Sequence, residues 1–213
     1  PGTIIDTYNR EDTNYLVSIY LSVYPTAYNQ KQYYAGLSAI DVSTGNNFVH
    51  SIQSATLDEN WWSDEIFRLI HNYDPTEIVI HYDESEIPYS ITELCHRWSI
   101  SEEITHHNLV TSKQFLKPSY QNEFYHKIYP NCGFLTPIEY LGFERNPEIL
   151  MSHIYMIQYI YEHKIENIQS LQTPQWTEPT KHLSLSHNCM YQLYLIDTKE
   201  HASEQYSSLL SFL

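Results

Sequence analysis

The chain has 213 residues and carries 11 Lys and Arg against 26 Asp and Glu, a formal net charge of −15. That length supplies one generous domain, or one domain and a piece of another, with enough chain to bury a sizeable core. The acidity excludes non-specific binding of DNA or RNA by the chain alone and makes an anionic membrane a poor partner, because both are held by neutralising phosphates with Lys and Arg.

Residues 1–13 are polar and read as a linker. Residues 14–24 alternate: Tyr15, Val17, Ile19, Leu21 and Val23 face one way and Ser18, Tyr20 and Ser22 the other, which predicts a half-buried strand. A polar connection over 25–32 leads to a hairpin over 33–52. Its first arm is apolar on both sides, with Tyr34, Ile40 and Val42 on one face and Ala35, Leu37 and Ala39 on the other, as in the middle of a covered sheet. Its turn is Asp41-Val42-Ser43-Thr44-Gly45, where Gly45 supplies a positive φ and the Asp41 carboxylate accepts from the amides just after it.

From Asn60 the period becomes helical, with Trp62, Ile66, Leu69, Ile70 and Tyr73 as one stripe, Asp58 or Asn60 as cap and Asp74-Pro75 as stop. Residues 77–82 read as a short apolar strand, parallel to its neighbour because a crossover helix precedes it. Pro88 is expected to open a helix burying Ile91, Leu94, Cys95 and Trp98, and residues 102–107 to form a weak fifth strand. Helical patterns run from Thr111, break at Pro118 and resume at Ser119 with Phe124 and Ile128, until Asn131-Cys132-Gly133. Asn146-Pro147-Glu148 starts another helix, with Leu150, Ile154, Ile157 and Tyr161. The polar stretch 171–181, with Pro174 and Pro179, is the expected boundary, followed by a strand over 182–186 and helical material over 187–213. The order β-β-β-α-β-α-(β)-α predicts an α/β fold: a ribonuclease-H-like mixed sheet, made of an antiparallel three-strand meander plus parallel strands and flanked by helices. The expected division is a domain over 1–172 and, over 173–213, a linker with a short partial helical segment.

A fold of this class invites a search for clustered metal-binding carboxylates. Asp41, Glu65, Asp83 and Glu84 are the available acids, and solvated surface positions plus an Asx-type turn at Asp41 explain them without a metal. There are 12 histidines, but His106 and His107 are strand neighbours that point to opposite faces, and no HxxxH or CxxC pair occurs. Cys95, Cys132 and Cys189 stand far apart, with no disulfide framework or nucleophile geometry. Five glycines are too scattered for a phosphate loop, and most of the 20 tyrosines share faces with Ile and Leu, as core residues do. No apolar run is long enough to span a bilayer, and a reducing intracellular compartment is the default. Pro1 opens the chain without Met and Leu213 closes it inside an amphipathic pattern, which reads as an excised fragment.

Several motifs, in order, resemble the connector region of the MutS mismatch-repair family. Pro1-Gly2-Thr3 is similar to the end of its "TPGT", and Asn14-Tyr15-Leu16 to the "NYL" that opens the first connector strand. Ala39-Ile40-Asp41-Val42-Ser43-Thr44-Gly45 is similar to "A-x-D-x-S-T-G", and Asp74-Pro75-Thr76-Glu77-Ile78 to "xPxEIL". Residues 182–195 resemble the start of the family's lever domain, with two departures: Gln192-Leu193-Tyr194 stands where Asn-Leu-Glu is preferred, and Ser186-His187 where Asp-Ala is. These point to a divergent branch.

The resemblance implies a connector without a nuclease site, set between a mismatch reader and a Walker ATPase that lie elsewhere in the intact parent. ATP, Mg²⁺ and mismatched DNA belong to those other regions, so no catalytic, cofactor or metal residue is expected in this chain. It also implies docking of a MutL-type partner on the helix from Ser119, with Gln121, Asn122 and Glu123 exposed and Phe124 turned inward. Tyr206, Leu209, Leu210 and Leu213 form an apolar stripe at i, i+3, i+4 and i+7, expected to fold back or to pair with a second copy. The rival readings are an active ribonuclease-H-like nuclease or resolvase, and an acidic protein–protein adaptor.

Overall fold

The computed structural model describes residues 14–25, 31–54, 60–108, 116–163, 171–177 and 193. The expected linker at 1–13, the cap candidate Asp58, the helical start at Thr111, the strand at 182–186 and the stripe of Tyr206, Leu209, Leu210 and Leu213 lie outside the described residues. The chain divides into one unit over Pro1–Thr177 and a second over Glu178–Leu213.

β1 (Tyr15–Pro25), β2 (Lys31–Asp41) and β3 (Asn47–Gln53) form the antiparallel meander. α1 (Trp61–Tyr73) crosses over to β4 (Glu77–His81), which pairs in parallel with β1. α2 (Ile91–Trp98) and a 3-10 turn at Glu102–Ile104 lead to β5 (Thr105–His107), parallel to β4. Then come α3 (Pro118–Ile128), α4 (Pro137–Tyr140), a 3-10 turn at Phe143–Arg145 and α5 (Pro147–His163). β6 (Gln175–Trp176) returns to pair in parallel with β3. The sheet order is β5-β4-β1-β2-β3-β6. A meander extended on its β1 side by parallel strands reached through helices is the ribonuclease-H-like arrangement.

One face of the sheet, carrying Val17, Ile19, Leu37, Ala39, Ile78 and Ile80, packs on Trp62, Ile66 and Ile70 of α1 and on Leu94 and Trp98 of α2. The other face lies under α5. Leu16, Ile40 and Val79 meet Met156, Tyr159 and Ile160, and the His81 ring stacks on Tyr155 with centroids 3.7 Å apart. β1 is therefore covered on both sides rather than half-buried. Its polar alternates are under the helix: Ser18 is buried, and the Ser22 and Tyr24 hydroxyls donate to Glu148 Oε1 at 2.9 and 3.0 Å. α5 is buried nearly all round, because α3, α4 and the Phe143 turn close over it through Tyr125, Ile138 and Phe143.

Several boundaries differ from the sequence reading, each for a local reason. The α2 cap is Ser90, not Pro88: Ser90 and Glu93 form a reciprocal capping box. α3 begins at Pro118, one residue before the expected Ser119, since at the first helical position the missing N–H of Pro is no loss. α4 was not anticipated, although Thr136-Pro137-Ile138-Glu139 spells its capping box. Asn60 does sit at the α1 cap position, but its side chain accepts from Arg97 Nη1 at 3.1 Å instead of capping. Gln175 and Trp176, in the stretch read from sequence as polar linker, join the sheet.

Gly36 sits where α5 crosses β2. A Cβ there would fall inside the van der Waals envelope of the Glu148 carbonyl and the Ile149 nitrogen, both backbone atoms. Gly36→Ala is expected to cost about 3 kcal/mol, the upper range for overpacking, read as a lower urea midpoint. An unchanged midpoint would contradict this packing.

Candidate functional site

The four acids weighed for metal binding are dispersed. Asp41 closes the hairpin turn: Oδ1 accepts the Ser43 amide at 2.9 Å and the Ser43 hydroxyl, Oδ2 accepts Thr44 Oγ1 at 2.7 Å, and the Asn14 amide lies 3.4 Å from Oδ1. Gly45 completes the turn at φ 77°, its amide donating to the Asp41 carbonyl. Burial works to raise the Asp41 pKa, but these hydrogen bonds outweigh it and hold the carboxyl below its usual value. Asp83 lies past the far end of β4. Asp41 is in register with Tyr15, whereas His81 is in register with Tyr20, so Asp83 is roughly 20 Å away along the strand direction.

Asp83 is occupied by the Ser85 amide and hydroxyl, at 2.8 and 2.6 Å. Glu84 accepts from Asn108 Nδ2 at 3.2 Å, and Glu65 is paired with Arg68, whose Nε lies 3.0 Å from Oε2. His106 meets the Tyr159 hydroxyl at 3.1 Å, while its neighbour His107 is exposed. Among the described residues, no group of three His, Cys, Asp or Glu is placed to hold a metal ion.

The helix singled out for partner binding, α3, is turned differently from the expectation. Gln121 and Tyr125 are its buried positions, so Gln121 is not an exposed docking residue; its amide points at Met151 Sδ, 3.8 Å away. A stripe three and four residues apart puts Gln121 and Tyr125 on one side, and Phe124 only half-buried beside Tyr120. Asn122 is half-buried, its amide donating to the Pro118 carbonyl at 3.1 Å. Glu123 is exposed, with Lys127 one turn on at 3.5 Å. The turn after α3 adds a feature that the sequence reading passed over. Gly133, at φ 64°, carries the chain into Phe134, which is fully exposed, and Leu135, 54% exposed. The Asn131-Cys132-Gly133 turn signal was visible, but that its next two side chains stay in solvent was not.

A buried polar network ties α3 to α5 and the hairpin. Asn47 Nδ2 lies 2.8 Å from His153 Nε2, and His153 Nδ1 lies 3.0 Å from the Tyr125 hydroxyl. With the Asn47 amide donating to Nε2, the ring carries its proton on Nδ1 and donates to Tyr125. On the opposite face, His50 Nε2 is 2.6 Å from the Tyr73 hydroxyl and Nδ1 is 2.6 Å from Thr177 Oγ1.

Burial lowers the His153 pKa to about 3, and burial, with Arg68 nearby, lowers that of His50 to about 4. Both rings stay neutral in the folded chain and protonate on unfolding below the ordinary value of 6.5. Their contribution to stability is full above that value and is lost as pH falls through 6.5 toward 4. Each group adds a slope of about 1.4 kcal/mol per pH unit inside its window. Denaturant midpoints at pH 7, 5.5 and 4.5 should therefore fall progressively; a constant midpoint would contradict the buried neutral rings.

No protein-family model matches the chain. Among solved structures, a fowlpox virus resolvase in complex with Holliday junction DNA is similar at 12% identity, covering 70% of this chain and 97% of that one, with a TM-score of 0.40. That degree of likeness bears on neither activity nor ligand. A curated protein of Acanthamoeba polyphaga mimivirus, named as a DNA mismatch repair MutS homologue, is 33% identical over 99% of this chain, which spans 20% of the relative's length. With the motifs in order along the same span, this similarity supports reading the chain as a piece of a MutS-family protein.

Proposed function

We propose that the chain is the connector of a MutS-like mismatch-repair protein: a non-catalytic module that passes signals between a mismatch reader and an ATPase and docks a MutL-type partner. The observation that carries this reading is the similarity to the mimivirus MutS homologue along 99% of the chain. The wide separation of Asp41 from Asp83 supports it, because a two-metal nuclease site needs carboxylates converging on ions about 4 Å apart. On this reading residues 1–172 are the connector, and 173–213 are a linker and the start of the lever domain. ATP, Mg²⁺ and mismatched DNA are bound by other regions of the parent, in an intracellular compartment, and a second copy pairs through the C-terminal segment.

The docking face is the solvent side of α3, with Asn122 and Glu123, continued by the Phe134–Leu135 turn. Gln121 drops out because it is buried. An exposed aromatic on a tight turn is the kind of anchor that dominates interfaces.

The chain is expected to leave duplex DNA and RNA intact in Mg²⁺ or Mn²⁺, and to bind matched or mismatched duplex no better than micromolar at physiological salt. Metal-dependent cleavage lost in Asp41→Ala would overturn the non-catalytic reading. Phe134→Ala and Glu123→Lys should each weaken binding of the MutL-type partner about tenfold without moving the urea midpoint. Unchanged affinity in both would remove α3 and its turn from the docking face.

A further inference from the structure

Residues 171–177, the last described stretch before the second unit, are fastened to the hairpin, to α3 and to α4. Leu171 packs against both clusters on the α5 face of the sheet. The Gln172 amide donates to the Gly45 carbonyl of the hairpin turn at 3.1 Å, and the Gln172 carbonyl accepts the hydroxyl of Tyr129, at the end of α3, at 3.2 Å. Pro174 is buried. Gln175 and Trp176 form the two-residue ladder with Phe48 and Val49. The Trp176 indole donates to the Leu141 carbonyl, at the end of α4, at 3.1 Å, and its ring lies over Gly142 and beside Phe143. The Thr177 amide donates to the Val49 carbonyl at 3.3 Å, and its hydroxyl meets His50 on the opposite face of the sheet.

We propose that residues 171–177 are a strap that opens and closes as one unit, gauging the seating of α3 and α4 against the hairpin and setting the length of tether that leads to Glu178. The physical argument is that successive anchors belong to different bodies. Gly45, Val49 and His50 are fixed in the hairpin, while Tyr129 and Leu141 move with α3 and α4. A shift of the helices relative to the sheet strains alternate anchors, so they fail together. The strap's hold is also weak enough to open locally, since a two-residue strand contributes few ladder bonds and little apolar area. Opening frees seven residues, about 23 Å of extended chain.

This inference does not rest on the identity of any partner, and hydrogen exchange by NMR on the full chain tests it apart from the proposed docking. The Gln172 and Thr177 amides report the two ends of the strap. Tyr129→Phe removes the hydroxyl that anchors Gln172 and, with it, the acceptor of the Asn47 side-chain amide 3.4 Å away, whereas Trp176→Phe leaves both in place and removes the indole donor while keeping an aromatic ring. In either variant both amides should exchange about five- to tenfold faster, the effect of one lost hydrogen bond, with amides of β1, β2 and β4 unchanged. Acceleration confined to the amide nearest each substitution would overturn the cooperative strap. So would exchange of both amides at the rate of the central strands, which would show that they open only on global unfolding.

Discussion

The close approach of α5 to the middle of the sheet is the constraint on which the rest of this molecule depends. Ile149 and its neighbours come down onto β2 only because residue 36 has no side chain. The Ser38 and Ser152 hydroxyls, 2.7 Å apart, fill the next contact with small polar groups satisfied by each other. The Glu148 carboxylate, in the first turn of α5, gathers the Ser22 and Tyr24 hydroxyls and so fixes where the helix begins. Negative charge at a helix N-terminus is also favoured by the exposed amide dipoles. With α5 held this low, its far side becomes a second apolar surface, and α3, α4 and the Phe143 turn have something to pack on.

That layering explains why the polar groups are where they are. A helix buried all round cannot keep His153 in water, so the ring is paired with Asn47 on the sheet side and with Tyr125 on the α3 side. A buried polar group with both partners present rigidifies and specifies one arrangement. It fixes the rotation of α3, which places Tyr125 and Gln121 inward and leaves Glu123 to solvent. The outward face of α3 and the Phe134 turn are thus set by contacts made deep inside. The carboxylates, by contrast, are spent on local turns, at Asp41 by Ser43 and Thr44 and at Asp83 by Ser85. These acids organise chain reversals at opposite ends of the sheet.

Some of this was legible in the residues. Alternation in β1, an apolar pattern on both faces of β2 and the Asp41–Gly45 turn determine a meander, and the crossover helix determines a parallel β4. The hairpin turn is written in the residues because the bonds that shape it, from Ser43, Thr44 and Gly45 to Asp41, are made within five positions. The order of MutS-like motifs pointed to the family before any fold was in hand, and the similarity to the mimivirus homologue agrees with it.

What the sequence determined, then, was whatever is settled by neighbours in the chain: strand periods, turn chemistry, helix starts such as Asn146-Pro147, and the family's ordered motifs. The tertiary structure alone decided what depends on distant partners. A serine at an alternate strand position looks solvent-facing until α5 covers it, as at Ser18. Gln121 looks like a surface residue until Met151 lies over it. Gln175 and Trp176 look like linker until the edge of β3 offers two residues of ladder and Leu141 offers a carbonyl. In each case the deciding contact spans 30 or more positions of chain, and no local pattern encodes which surface arrives from so far away.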